Sequence, residues 1–517
     1  SSSFVFMFIL FGAFLLRSGG GDFVIDLARS VAGRLTGAPG LVAVFASGLT
    51  GTISGSAVAN TASTGVITIP LMVRAGFPPK FAAAIEASAS TGGQLMPPIM
   101  GAGAFVMASY TQIPYTTIVA VSVLPALLYF ASIAFYVRIE AKRQGVQVVE
   151  EDTPGFVELM LGGGLPFLIP IGVLIALLVY GYTPTYAAGI AILAVIAASW
   201  LTRKPMGPIA VAEALALGSR NMVMTAVLLC SIGLIVNVIA MSGVGNTFSL
   251  MITQWAGDSL LIAIVLVALA SLILGMGLPV TAAYIVLGTL SAPALFDLIA
   301  NQQLAAAIAS GDVGDQAKTM LMLVSPEAAA KLGTPMQLDA AKELVAAIPR
   351  DLMAPIREGI IDSTALTFAL LSAHLIIFWL SQDSNITPPV CLTAFTAAAI
   401  AGTPAMATGL TSWKIAKALY IVPLLFAYTP FIGGSYVEVF TIFAFALVGL
   451  YAFSGFMQGH LEKPMSWPMR IALLACGAIL LLPVATYIKL VGLAGFVAVL
   501  VLNIRSKSVE QPVASSS

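Results

Sequence analysis

Two stretches of the sequence place an amide side chain three residues before a Pro-Pro step. One reads Gln94-Leu95-Met96-Pro97-Pro98-Ile99-Met100, the other Asn385-Ile386-Thr387-Pro388-Pro389-Val390-Cys391, and apolar sequence flanks both. A proline removes a backbone donor and clashes with the preceding turn. The residue before it is pushed towards an extended conformation. Two in succession break a helix and free carbonyls and amides. Each break follows a glycine-rich tip. The first is Gly51-Thr52-Ile53-Ser54-Gly55-Ser56, with Asn60 just beyond; the second is Gly275-Met276-Gly277-Leu278-Pro279-Val280-Thr281. Glycine permits a sharp reversal, and Pro279 suits the first turn of a returning helix.

These groups are the kind a hard cation takes. A dehydrated sodium ion wants about five or six oxygen ligands. The first tip offers Ser54, Ser56, Asn60 and the carbonyls of 51–55, faced by the carbonyls freed at Met96 and Pro97. The second offers carbonyls at Gly275–Gly277 and the Thr281 hydroxyl, faced by Asp383, Ser384, Asn385 and Thr387. Each set could hold one sodium ion. The bland alternative is that each hydroxyl bonds to the carbonyl one turn back. No organic cofactor is implied.

Half-helix N-termini near Ser56 and Pro279 carry partial positive charge and bare N–H groups. They could receive a substrate carboxylate without any arginine, and no Lys or Arg lies in the tips or breaks. Ser54, Gly55, Ser56, Pro97, Gly277, Pro279, Thr281 and Pro388 are the candidate substrate-binding residues. Glu86 and Asp383 are the only acidic residues in the broken helices. Ionisable groups inside a membrane are functional candidates by default, so both are candidates for proton coupling. Asp383, beside the second break, could equally bind sodium.

Composition says what holds these segments. The chain has 517 residues, 59% hydrophobic and 9% charged, with a mean hydropathy of +1.01. Soluble domains carry about 25% charged residues. So little polar surface cannot cover the chain in water, and lipid must. A net charge of zero gives no sign of nucleic acid as a partner. Cys230, Cys391 and Cys476 sit far apart in apolar segments and read as reduced, packed thiols. Full spans are expected at 4–16 (short), 114–137, 165–181, 184–201, 221–241, 415–431, 437–454, 468–485 and 488–503. Interrupted spans are expected at 41–73, 80–110, 259–296 and 364–402.

Lys and Arg in short loops set orientation. Arg17, Arg29, Arg34, Arg74, Lys80, Arg138, Lys142, Arg143, Arg203, Lys204, Lys414, Lys417, Lys463, Arg470, Arg505 and Lys507 fall on one side if 41–73 and 259–296 are re-entrant hairpins. Lys489 is the exception. The hairpins then enter from opposite faces. Matched motifs in opposite orientation mark inverted-repeat secondary transporters, whose discontinuous helices build the site near the midplane. The fold class is therefore an all-α integral membrane protein with two re-entrant hairpins and two broken helices. Its blocks are 1–36 (first helix and amphipathic segment), 37–137 (first repeat), 138–220 (scaffold), 221–431 (second repeat) and 432–517 (C-terminal scaffold). The short first run suggests a chain that begins inside a longer one.

Seven stretches carry a family resemblance: 54–60, 68–72, 86–94, 96–101, 275–279, 282–286 and 387–390. In them the sequence resembles the large membrane subunit of the tripartite ATP-independent periplasmic (TRAP) transporters, in particular the TAXI-type fused permeases. The likeness runs from about residue 4 to 430. It implies a bacterial inner-membrane importer fed with an organic acid by a periplasmic TAXI-type binding protein. It also implies a sodium or proton gradient as the driving force, an elevator motion, and a small-subunit membrane domain, fused upstream or separate. Residues 297–363 depart from the pattern, with nine acidic and five basic residues where a short connector is usual. They read as a solvated cap or as a contact for the binding protein. Gln382-Asp383-Ser384 is the other departure.

Competing readings are a carrier that needs no binding protein, an intramembrane serine protease pairing Ser54 or Ser56 with His374, and an ion channel. No recognised nucleophile motif surrounds either serine. No GxxxxGK[ST] loop is present, which argues against an ATP-driven pump.

Overall fold

The computed structural model describes residues 2–146, 155, 159–160, 164–201, 205–257, 259–311, 313–314, 318–319, 322 and 335–506. Regular structure among them is helical, apart from a single bridge between His460 and Pro464. α1 (Ser2–Leu15) bends by 71° through a π turn into the amphipathic α2 (Gly21–Ala32). α3 (Ala38–Ser54) reverses at Gly55, in the left-handed region at φ 63°, into α4 (Ala57–Arg74). α5 (Pro79–Gly93) and α6 (Ala102–Thr111) are the halves of a broken helix, and α7 (Tyr115–Gln144) is a full span. Two short apolar helices follow, α8 (Leu165–Val179) and α9 (Pro184–Ser199).

The same order then returns. α10 (Pro208–Ser242) is apolar and α11 (Val244–Ala256) is short. α12 (Leu260–Gly275) and α13 (Val280–Ser310) form the second hairpin. After α14 (Leu338–Ala347) and α15 (Arg350–Ile360) comes the second broken helix: α16 (Ser363–Leu380), α17 (Asp383–Ile386) and α18 (Leu392–Ala401). α19 (Ala405–Ile415) and α20 (Ala418–Tyr428) together make a span that matches α7. The return arms match in detail. α4 starts at Ala57 with Pro70 inside it, and α13 starts at Val280 with Pro293 at the same step. Both Pro-Pro bonds, Pro97–Pro98 and Pro388–Pro389, are cis.

Of three further helices, α21 (Tyr436–Gln458) packs on α7, while α22 (Trp467–Leu481) and α23 (Thr486–Arg505) pack against α21 and each other. Glu462 ties them to α7, accepting from Arg138 at 2.8 Å and from Lys142. Among the described residues, seven helices are long and apolar enough to cross a membrane, or eight if the bent α1–α2 pair is one span. This is the all-helical membrane architecture that composition implies.

Packing puts the halves of the breaks against each other. α3 and α4 both lie on α5, and α18 of the second repeat crosses both α4 and α5. α13 lies on α16, and the lead helices α1 and α10 pack together. Arg17 and Glu213 pair at 2.5 Å across that contact.

Several boundaries differ from expectation. The span expected at 415–431 starts at Ala405, and the one expected at 221–241 starts at Pro208. α13 runs past residue 297, where the polar insert was placed, to Ser310. Its Ala-rich end favours helix, and Gly311 stops it at φ 80°. The described part of the insert folds back on this extension. Ala341, Leu344, Ile348 and Ile356 cluster with Leu304 and Ile308. Arg357 donates to Asp297 and to Asn301, each at 2.7 Å. Residues 312, 315–317, 320–321 and 323–334 of the insert lie outside the described residues, as do Arg203, Lys204 and Lys507 of the orientation set. Two lysines used in that argument are not free interface charges. Lys417 is buried over the Tyr136 ring at 4.1 Å, and Lys489 is buried over Phe445 at 5.7 Å.

Candidate functional site

The two breaks meet. Gln94 caps the C-terminus of α5, and Asn385 lies in the one-turn α17. Asn385 Nδ2 donates to Gln94 Oε1 at 3.0 Å, and Gln94 Nε2 donates to the Gly55 carbonyl at 3.1 Å. The first tip, the first break and the second break are thus one hydrogen-bonded unit. Two carbonyls of the first break, Pro98 and Ile99, accept from the Tyr115 hydroxyl at 2.9 and 2.6 Å. Met96 accepts from Thr52 Oγ1 at 2.7 Å. Neither Thr52 nor Tyr115 was singled out from sequence. The tip could have offered Thr52, since it sits among the glycines; nothing local marked Tyr115.

The first ligand set gathers around the tip of α3 and α4. Ser56 is the N-cap of α4 and accepts from the Ala59 amide at 3.4 Å. Ser54 Oγ makes only long contacts, 3.5 Å to the Gly51 carbonyl and 3.4 Å to that of Ser56. Asn60 is fully buried; its amide nitrogen donates to the Ser47 carbonyl at 2.8 Å and its oxygen has no partner. A buried acceptor left open in this way wants a donor or a cation. The oxygens present therefore fit a sodium ion held by Asn60, Ser54 and the tip carbonyls. Close approach makes the set compact: a Cβ on Gly51 would lie 2.5 Å from the Gly93 Cα.

The second set gathers around Asp383, which is buried. Its Oδ1 accepts from the Tyr420 hydroxyl and from Thr387 Oγ1 at 3.1 Å. Trp413 Nε1 donates to the Tyr420 oxygen at 2.8 Å. Gly275 packs on Ser384, where a Cβ would meet the Ser384 Cβ at 3.2 Å. Gly275, Asp383 and Thr387 are thus held on one side of the break, with Asn385 bonded across to the first. Gly277 and Pro279 are exposed at the tip, and Thr281 is half-buried. Among the described residues no hydrogen bond joins Thr281 to Asp383 or Thr387. Pro97 and Pro388 sit at the breaks themselves. Tyr420 and Trp413 were missed. With the span drawn from residue 415, both read as ordinary interfacial aromatics.

Glu86, the proton-coupling candidate of the first broken helix, is fully buried although it lies only six residues from Lys80. Hydroxyls surround it: Ser47 at 2.6 Å, Thr64 at 2.5 Å, Thr68 at 2.6 Å and Ser90 at 3.1 Å. These come from α3, α4 and α5, so one carboxyl joins the first hairpin to the first broken helix. The protease pairing finds no support in the geometry. His374 Nδ1 bonds to the Tyr284 hydroxyl at 3.0 Å, while Ser54 and Ser56 bond only within their own tip.

A hairpin, a broken helix and a span are thus given twice and joined at the breaks. The family model described as tripartite ATP-independent periplasmic transporter, DctM component, matches residues 1–432. The chain belongs to the TRAP transporter large-permease family. With its apolar spans, that membership makes it a multi-pass protein of the bacterial inner membrane. The match takes in both repeats and ends before α21, so α21–α23 lie beyond it.

This permease is similar to the C4-dicarboxylate TRAP transporter large permease protein DctM of Pseudomonas aeruginosa, 37% identical over 20% of this chain and 25% of that protein. It is 30% identical to the uncharacterized protein YgiK of Salmonella typhimurium over 36% of this chain and 43% of that one. It is 29% identical to the isethionate TRAP transporter permease protein DctMQ of Oleidesulfovibrio alaskensis over 36% of this chain and 29% of that one. The aligned segments thus span less than half the length of each of these relatives.

Proposed function

We propose that the permease is the membrane subunit of a secondary importer that takes a small organic acid from a periplasmic binding protein and moves it across the membrane, coupled to a sodium or proton gradient. The observation that carries this reading is the junction of the two breaks through Gln94 and Asn385. Such a junction offers open backbone groups inside protein, where a polar solute can be held at membrane depth. α6, α13 and α18 each begin without a side-chain cap, which leaves their first amides free for an anion. Two relatives are named for organic anions, a C4-dicarboxylate and isethionate, which agrees with that choice of charge.

In this reading the two hairpins and two broken helices form the moving unit of an elevator, and α1, α7–α10 and α21–α23 the fixed frame. Asn60 with Ser54, and Asp383 with Thr387, are the two cation sites. Asp383 and Glu86 are the groups able to carry a proton. The binding protein is of TAXI type, the small membrane subunit is fused or separate, and the insert capped by Arg357 is a contact for the binding protein.

The test is uptake into proteoliposomes across a panel of carboxylic acids, with the small subunit and binding protein supplied and sodium and pH gradients imposed separately. Saturable uptake that needs the binding protein and one gradient is expected. Equal uptake without the binding protein would favour a self-sufficient carboxylate carrier.

A further inference from the structure

Two cavities meet at Tyr428, and neither touches the breaks. One, of about 410 Å³, lies between the start of α12, the extension of α13 and α14; Asn301, Gln302, Lys342 and Glu343 give it a polar wall. The other, of about 370 Å³, is a groove between α20, α21 and α22, with Leu261 of α12 at one end. Tyr428 is its only polar side chain; the rest of its wall is apolar, Leu424, Leu425, Phe453, Leu474 and Ala478 among them. Leu260 lines the first cavity and Leu261 the second, so the two adjoin at the start of α12, with Tyr428 in the wall of both.

We propose that the paired cavities hold one zwitterionic phospholipid, its headgroup in the polar cavity and an acyl chain in the groove. Three observations favour this occupant. The groove runs along α20 and α21, which belong to membrane spans, and Ile421 to Tyr428 gives it about 10 Å of length along α20. An apolar cleft at that depth gains by taking hydrocarbon and gains nothing from water. The polar end presents a cation and an anion on adjacent residues, Lys342 and Glu343, which suit a phosphate and an ammonium held side by side. Among the described residues Lys342 is tied only to Asp339, at 3.1 Å on an exposed surface, a pairing worth little in water. A soluble acid or a free phosphate would fill the polar end and leave the groove empty.

The site joins elements of different origin. α12 and α20 lie within the family-matched residues, whereas α21 and α22 lie beyond them. The lipid would seal the seam between the hairpin and the C-terminal helices. It does not depend on which solute the permease carries.

Native mass spectrometry of the full chain released from nanodiscs tests the proposal. Nanodiscs holding phosphatidylethanolamine and phosphatidylglycerol in equal amounts would be used. One phosphatidylethanolamine should remain on the unmodified chain through detergent exchange. Ala478→Trp, which fills the groove, should lower its retention about tenfold. Lys342→Glu, an exposed change that leaves the groove intact, should lower it about threefold and give a second readout if the Trp variant fails to fold. Retention in both variants equal to that of the unmodified chain would overturn the site. So would retention of phosphatidylglycerol alone, or displacement of the lipid by phosphoethanolamine lacking acyl chains.

Discussion

The side-chain amides of Gln94 and Asn385 are 291 residues apart in the chain and 3.0 Å apart in space. Each stands three residues before its own Pro-Pro step, so the bond joins the same position of the two repeats. Gly51 on Gly93 and Gly275 on Ser384 repeat the relation one residue earlier. The tips and breaks therefore form one centre, with Asn60 and Asp383 on either side of it.

Glu86 should matter first for stability. Glu86→Ala strands the buried hydroxyl of Ser90 and leaves those of Ser47 and Thr68 only their longer contacts to Thr64, and each buried group left unpaired costs about 1–3 kcal/mol. Thermal unfolding in detergent should show a clear drop in Tm. Glu86→Gln keeps an acceptor oxygen and should recover more than half of the loss. An unchanged Tm for the alanine variant would contradict the hydroxyl cage.

Asp383 should govern the driving ion. Asp383→Asn removes the charge that Tyr420 and Thr387 bond to, and loss of such a charge-assisted contact costs about 1.5–3 kcal/mol, roughly tenfold or more in rate. Tyr420→Phe removes one donor and leaves Thr387, so its loss should be smaller. Initial uptake rates across sodium and pH series check this. Full rate with the same cation dependence in Asp383→Asn excludes the role.

Close packing at the first tip makes a contrast between glycines. A Cβ on Gly51 meets the Gly93 backbone, whereas a Cβ on Gly277 meets nothing within 4 Å. Gly51→Ala should lose about 1–3 kcal/mol of stability, and Gly277→Ala should stay within about 0.5 kcal/mol. Chemical unfolding followed by Trp fluorescence would rank them, and equal losses would count against the packing described.

The insert should act on delivery and not on the site. Removing residues 312–349 leaves α13 intact to Ser310. Binding-protein-dependent uptake should fall several-fold while the melting of the membrane helices changes little. Unchanged uptake would assign the insert to a solvated cap.

The sequence carried the helical membrane class in its lack of charge, and the tips and breaks in glycine and Pro-Pro, because these residues act through their own backbone. It carried less where contacts are long-range. Asn385 meeting Gln94 depends on how α17 crosses α5, and Tyr420 reaching Asp383 depends on how α20 folds back; no local signal encodes either. The Ala-rich end of α13 was missed for another reason. Polar residues on either side hid a strong helix former inside an acidic stretch.

The most direct measurement is the initial uptake rate of Gln94→Ala, Asn385→Ala and the double variant, at matched membrane expression. If the breaks form one centre, each single variant should fall about fivefold or more, and the double variant should be no worse than the poorer single. Losses that multiply, or singles that transport as the unmodified chain does, would mean that the two breaks do not share a site.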